Sequence, residues 1–387
     1  MNNPGLLPDP PAIRPLKRVS PSRYNSLGEC LLREVWASCW RPPLLPRTPS
    51  AHVGSMIHAL LEAAGKGEME DGSLALVETR WADLLGRTEQ TMSASWIEKP
   101  LQPLSLSVPD FEVRRIRAFE RAVEIARTIQ ASRQRRTGER GVGNELPVSS
   151  PEGLVAGYVD CAVETRDGIV LRDYKTGAIT EDNSSSAVKT IYQVQLRLYA
   201  ALYYSSFGRW PTRLELVPLR GDPIAVSFSP DECLSLLRDA TDLLKHANTR
   251  IEQVDQVADR LDALASLAAP RPSSCRYCLY RPACPAYREA RAGPVTDESW
   301  PTDVLGQVIE IRMLGNGRLN LSIADPGLAA VARVRGIDPD PARHPALLTL
   351  EEGSRTAICN LRPSGAKEAF SELMSTVIYV NPPEGMC

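Results

Sequence analysis

Asp173 and Lys175 flank a tyrosine in the stretch VLRDYKTG, at the end of an apolar run. Side chains alternate across a strand, so residues two apart share a face. If Ile169, Val170 and Leu171 open a strand that continues to Lys175, the carboxylate and the amine point one way and Tyr174 the other. Such a pair can orient and help deprotonate a water. It also reads as a salt-bridged strand end. A second chemical cluster lies in SSCRYCLYRPACPAY, where Cys275, Cys278 and Cys284 follow a C-x2-C-x5-C spacing. Three thiols so close suit Zn²⁺ or an iron–sulfur cluster, and the spacing leaves the choice open. Both want a fourth ligand. Nothing suitable follows closely, and Cys30 is the preferred distant candidate. Joining residues 30 and 275 would close a very long loop and restrict the unfolded chain.

Elements must position these groups. Ser20 is a plausible cap, and Tyr24, Leu27, Leu31 and Val35 recur at near-helical spacing. RPPLLPRTPS breaks that helix, and AHVGSMIHALLEAA begins another in which His58 and Glu62, four apart, share a face. Residues 74–90 and 111–131 read as helices, the second one basic, while three prolines mark 98–110 as a connection. Period two then takes over in NELPVSS, LVAGYVDCAVET and GIVLRDYKT, with Arg166-Asp167-Gly168 as a hairpin turn. Residues 189–205 read as a helix with Gln195 and Tyr199 four apart, RLELVPL and PIAVSFS as strands, and 231–267 as helical. The order suggests an α/β core with a helical insertion. Beyond a composition shift at 291–302, Asn316-Gly317 turns a hairpin, and ALLTLEE, RTAICNL and TVIYV supply three more strands. Five short strands there suggest a small barrel, for which an oligonucleotide-binding barrel is one fit among many.

Composition bounds the rest. The 387 residues allow two or three domains, and 43% hydrophobic with 24% charged residues describe a folded soluble protein. No apolar run is long enough for a bilayer, and the proline-rich start lacks a signal pattern, so a cytoplasmic location is expected. The formal net charge of -2 argues against a general polycation without excluding a local basic groove. The arginines between Arg114 and Arg140 could meet phosphate or form a solvated helix face. Nine clustered cysteines do not suit a secreted disulfide framework, and Cys39, Cys161, Cys233, Cys359 and Cys387 read as ordinary thiols.

Taken together, the motifs resemble the PD-(D/E)XK nuclease superfamily, in its iron–sulfur RecB/AddB-type and CRISPR-associated exonuclease-like branch. They are Cys30 in SPSRYNSLGEC, GSMIHALLE from Gly54 to Glu62, Asp160 in GYVD, Asp173 and Lys175 in DYKTG, QLRLY from Gln195 to Tyr199, and the cysteine triplet. The resemblance covers residues 20–290, about two thirds of the chain. It implies a restriction-endonuclease-like α/β core, a mixed central sheet flanked by helices, with a helical insertion over about 63–140 and an iron–sulfur staple. Residues 1–19 would be a flexible lead, and 297–387 a small β-barrel-like domain, OB-like in one reading.

The resemblance further implies a metal-dependent DNA nuclease, an exonuclease on single-stranded or end-processed DNA, serving repair, recombination or anti-phage defence. Its implied cofactors are a [4Fe-4S] cluster on Cys30, Cys275, Cys278 and Cys284, and Mg²⁺ or Mn²⁺ on Asp160, Asp173, the Tyr174 carbonyl and His58. Lys175 would act on the water, Gln195 and Tyr199 would steady the DNA backbone or the metal shell, and Glu62 and Glu145 are additional acidic candidates. Glu145 also reads as a solvent-facing strand start. A helicase or defence-system protein is an expected partner, and no membrane is. The alternative is a non-catalytic DNA-binding or scaffold subunit of a helicase–nuclease complex, stabilised by a structural metal cluster. Arg312, Arg318 and Arg355 of the C-terminal unit are candidate phosphate contacts.

Overall fold

Among the described residues, six helices precede the first strand, with the expected first helix split in two at Cys30 and a single turn within the connection at 98–110. In the computed structural model these are α1 (Pro21–Glu29), α2 (Leu31–Cys39), α3 (Pro49–Lys66), α4 (Leu74–Ser93), the single turn α5 (Leu104–Ser107) and α6 (Phe111–Arg133). The structure describes residues 5–40, 42–69, 72–133, 143–180, 188–255, 260–292, 299–325, 334–364 and 369–381. Residues 134–140 of the basic stretch lie outside them. α3 shows how local chemistry sets a boundary. The Thr48 hydroxyl accepts the Ala51 N–H at 3.2 Å, Pro49 occupies the first turn, and Gly67 ends the helix at φ +74.

The run that carries Asp173 and Lys175 is the central strand of a five-stranded mixed sheet. β1 (Gly143–Ser149), β2 (Ala156–Thr165) and β3 (Gly168–Lys175) form an antiparallel meander. Gly168 turns into β3 at φ +117, where a Cβ would lie 2.5 Å from Thr212 Cγ2. The next strand, β4 (Arg213–Pro218), runs parallel to β3 and so needs a crossover, which α7 (Thr190–Phe207) provides. β5 (Ile224–Val226) completes the order β1-β2-β3-β4-β5. The helices α8 (Pro230–Asp255), α9 (Arg260–Ala265), α10 (Pro272–Cys275) and α11 (Pro285–Arg291) follow.

Strand alternation divides the apolar core into two layers. Leu171 and Leu216 pack with Leu196, Ala200 and Tyr203 of α7, and with Leu237 and Leu244 of α8. Their neighbours Tyr174 and Val217 pack instead with Val53, Ile57 and Leu60 of α3 and Phe119 and Ala122 of α6. α3 and α6 therefore roof one face of the sheet while α7 and α8 cover the other. Residues 5–19, expected as a flexible lead, are packed: Leu7, Ile13 and Val19 are buried, and Gly5 O accepts the Val380 N–H at 2.6 Å. Burial of these apolar side chains and the backbone hydrogen bonds of Gly5 and Val19 together oppose the cost of ordering the segment.

The C-terminal strands are β6 (Val304–Met313), β7 (Leu319–Ala324), β8 (Val334–Ile337), β9 (Arg355–Pro363) and β10 (Phe370–Val380), joined in the cyclic order β10-β8-β7-β6-β9. Asn316-Gly317 does turn β6 into β7, with Gly317 at φ +81. ALLTLEE is not a strand: Pro345–Thr349 form a 3-10 turn, and β8 takes its place in the sheet. Pro345 has no N–H for a ladder and a φ suited to a first helical position, so Leu347 and Leu350 reach the core by a spacing of three. Among the described residues, no helix is long and apolar enough to cross a membrane.

Candidate active site

At the end of β3 the sheet delivers two acidic side chains and a lysine beneath α7. Asp173 is 3% exposed. Its Oδ1 accepts the Gln195 amide N–H at 3.0 Å, and its Oδ2 lies 2.6 Å from Lys175 Nζ. Lys175 also donates to Gln195 Oε1 at 3.0 Å and stands 4.5 Å from the centre of the Tyr192 ring. The ammonium is thus fixed by a carboxylate, an amide and an aromatic face. On the neighbouring strand, Asp160 Oδ2 accepts the Tyr174 backbone N–H at 2.8 Å. The strand pair and the helix motif therefore meet, although 20 residues separate Lys175 from Gln195.

Burial and like charge decide the protonation of this pair. Burial, then the Asp173 charge beside it, pushes the Asp160 carboxyl up to about 8. Burial also raises Asp173, but Lys175 opposes that. We place the negative charge on Asp173, which has the ammonium as a partner, and the proton on Asp160. Burial, followed by the charges of Asp160 and Asp173, raises Tyr199 and keeps its phenol neutral. His58, an exposed residue by surface, is lowered by burial, against the pull of Asp173. It lies within electrostatic range of Asp173, Lys175 and Glu62.

The outer candidates are arranged less tightly. Glu62 is tied to Lys66 one turn along α3. The register of Asn144 with Cys161 and Leu146 with Val159 sets Glu145 opposite Asp160, at a left-handed φ of 48. Burial, then Glu62, raises its carboxyl, and Lys66 opposes this. Tyr174, the residue between Asp173 and Lys175, is buried in the opposite layer and does not face them. Tyr192 is a neighbour the motifs did not single out. Its place one turn before Gln195 on α7 is the signal that could have found it.

Neither expected inorganic group fits. Among the described residues, no three His, Cys, Asp or Glu side chains are grouped so as to hold a metal ion. The Mg²⁺ or Mn²⁺ assignment is corrected accordingly. Asp173 Oδ1 accepts from Gln195, its Oδ2 is ion-paired with Lys175 but accepts no hydrogen bond, one Asp160 oxygen is taken by a backbone N–H, and Glu62 is turned to Lys66. The [4Fe-4S] staple is corrected on the same finding. Cys30, Cys275, Cys278 and Cys284 do line one cavity, together with Leu32, Trp36 and Ala268. That cavity measures about 20 Å³, room for a single water. Burial pushes the Cys278 thiol up to about 12, and raises Cys275 and Cys284 as well, so these are neutral thiols in an apolar pocket.

Arginines of the basic helix are largely engaged. Arg114 pairs with Asp110, Arg115 with Glu112, and Arg121 with Glu124 and the Pro218 and Gly221 carbonyls. In the C-terminal unit, Arg318 is bound to Glu372 and the Asp338 carbonyl.

No curated protein matches the chain at a significant level. The pattern of the PD-(D/E)XK nuclease superfamily matches residues 18–285. The match is to the superfamily as a whole, so the narrower iron–sulfur, RecB/AddB and CRISPR-associated assignment is withdrawn along with the cluster that motivated it. It stops short of β6 and leaves the C-terminal strands without a family. Spanning the sheet, its crossover helix and the cysteine segment, the match shows that the chain belongs to the PD-(D/E)XK nuclease superfamily.

Proposed function

We propose that this chain is a deoxyribonuclease that hydrolyses phosphodiester bonds at Asp160, Asp173 and Lys175, removing nucleotides from single-stranded or processed DNA ends. The observation that carries the reading is the Lys175 ammonium, fixed by Asp173 and Gln195 beside the proton-bearing Asp160. Superfamily membership supports the reaction class. A nearly buried cation on a rigid strand is a fixed charge for the phosphoryl oxygens as they gain negative charge in the transition state. Asp160, losing its proton near pH 8, is the group that takes a proton from the attacking water. Asp173 and Gln195 keep the lysine aimed, and Tyr199, neutral and hydrogen-bonded to Gln195, offers a hydroxyl near the leaving oxygen. No step is routed through a metal, since the described residues do not form a ligand set.

The test is an end-labelled single strand and its duplex, incubated with the purified chain and with Asp173→Asn, with and without a divalent cation. Shortened products from the wild type and none from the variant are expected. Equal products from both would place the chemistry elsewhere.

A further inference from the structure

At the free edge of the nuclease sheet, a groove of about 310 Å³ runs over β1 and the start of β2. That volume is within the range of small-molecule sites. Arg18, Ser20, Ser149, Gly157, Tyr158 and Ser206 line it, and no carboxylate does. Backbone pairing builds it. Val19 donates to Leu154 O at 2.9 Å and accepts from Ala156 N at 3.0 Å, which seats Arg18 and Ser20 beside β2. Pro147 of β1 stands opposite Tyr158, as suits an edge strand, and Ser206 at the end of α7 accepts the Ser149 N–H at 3.0 Å.

Two features of this groove serve no role in the fold. Tyr158 leaves 54% of its surface exposed, one of two exposed positions on β2. Arg18 is exposed and has no hydrogen-bond or ion-pair partner among the described residues. A bare aromatic face, an unpaired guanidinium and hydroxyls without a competing carboxylate are the groups that hold a nucleotide strand: base on ring, phosphate on cation. The groove also touches the candidate site. A Cβ on Gly157 would lie 3.3 Å from the Tyr199 ring, and Ser206 is seven residues beyond Tyr199 on α7, about 10 Å along it.

We infer that this edge groove binds single-stranded nucleic acid next to the catalytic residues, with a base stacked on Tyr158 and a phosphate on Arg18. The inference rests on the nuclease reading for its substrate, yet it concerns binding and can be measured apart from cleavage. The probe is a fluorescein-labelled oligothymidylate, followed by anisotropy over a range of salt. All proteins carry Asp173→Asn, so that the strand is not cut. Adding Tyr158→Ala should weaken binding about ten-fold, and Tyr158→Phe should restore it. Adding Arg18→Ala should weaken binding and lower the slope of log affinity against log salt by about 1. Both residues are exposed, so thermal melting should be unchanged in every variant. Affinity and slope equal to the parent in Tyr158→Ala and Arg18→Ala would overturn the groove, whatever the wild type cuts. Lost binding in these variants would support the groove even if the wild type failed to cut end-labelled DNA, and only the nuclease reading would then fall.

Discussion

Arg281 and Asp303 form a bidentate ion pair, Nε to Oδ2 at 2.6 Å and Nη2 to Oδ1 at 3.1 Å, with 4% and 0% of their side chains exposed. The Tyr287 hydroxyl donates to Oδ2 at 2.9 Å, and the Asn360 N–H donates to Oδ1 at 2.9 Å. The pair joins the cysteine segment, which carries Arg281, to the residue before β6 and to β9. The C-terminal β unit is therefore docked onto the nuclease core through a buried polar network. Tyr379, whose hydroxyl donates to Leu44 O at 2.7 Å, extends the contact.

Breaking that network by one atom should be costly. Burial alone would raise the Asp303 carboxyl, and Arg281 with the surrounding donors overrides it to a net lowering. Asp303→Asn would leave a buried guanidinium without its counter-charge, at about 3–5 kcal/mol. Urea unfolding should show a large drop in midpoint. A midpoint within error of the wild type would mean that solvent reaches Arg281.

Lys175→Ala should reduce cleavage of a labelled single strand by about 10²–10³-fold, the scale of losing one fixed electrostatic group at a reacting centre. Its circular dichroism spectrum should match the wild type. Cleavage at the wild-type rate would remove Lys175 from the chemistry.

Asp160 links pH to both stability and rate. Burial, then the Asp173 charge, holds its carboxyl up at about 8 in the folded chain, against an ordinary value of 3.8. Between those values the folded state holds a proton that the unfolded state has released, so stability falls as pH rises from about 4 to about 8 and then levels. Asp160→Asn removes that slope. Its melting temperature should exceed the wild type's at about pH 8 by on the order of 5 °C, with a smaller gain near pH 4. Wild-type cleavage should rise through the same window as Asp160 becomes a base. Parallel melting curves for the two proteins at every pH would show that Asp160 is not perturbed.

Gly157→Ala tests the seating of Tyr199. The added Cβ would meet Pro21 Cδ at 3.1 Å and the Tyr199 ring at 3.3 Å, so α1 or the ring must yield. A loss of about 1–3 kcal/mol is expected, with slower cleavage alongside it. A neutral effect on melting would mean that the ring moves freely.

Local chemistry carried most of the nuclease elements into view. Alternation in GIVLRDYK, the Arg166-Asp167-Gly168 turn and the 3.6-residue period of α7 depend on neighbours a few residues apart, so the strand and helix that carry Asp173, Lys175, Gln195 and Tyr199 are legible in the sequence, while the resemblance to a family is what singles out Gln195 and Tyr199. Where competing patterns shared the same residues, sequence reading failed. ALLTLEE alternates like a strand, yet Pro345 and the spacing of Leu347 and Leu350 favour a 3-10 turn once the barrel strands are laid around it.

What only the tertiary structure decided is distance between remote groups. Spacing could bring Cys30 toward Cys275, Cys278 and Cys284, but only packing sets the volume among them, and it leaves space for one water rather than a cluster. The same holds for the carboxylates. Motifs supply Asp160 and Asp173, while Lys175 and the Tyr174 amide from β3 and Gln195 from α7 contact three of their four carboxylate oxygens. Arg281 and Asp303 carried no motif at all. A buried ion pair is visible only when both partners lose water to the same interface, and that is a property of the assembled fold.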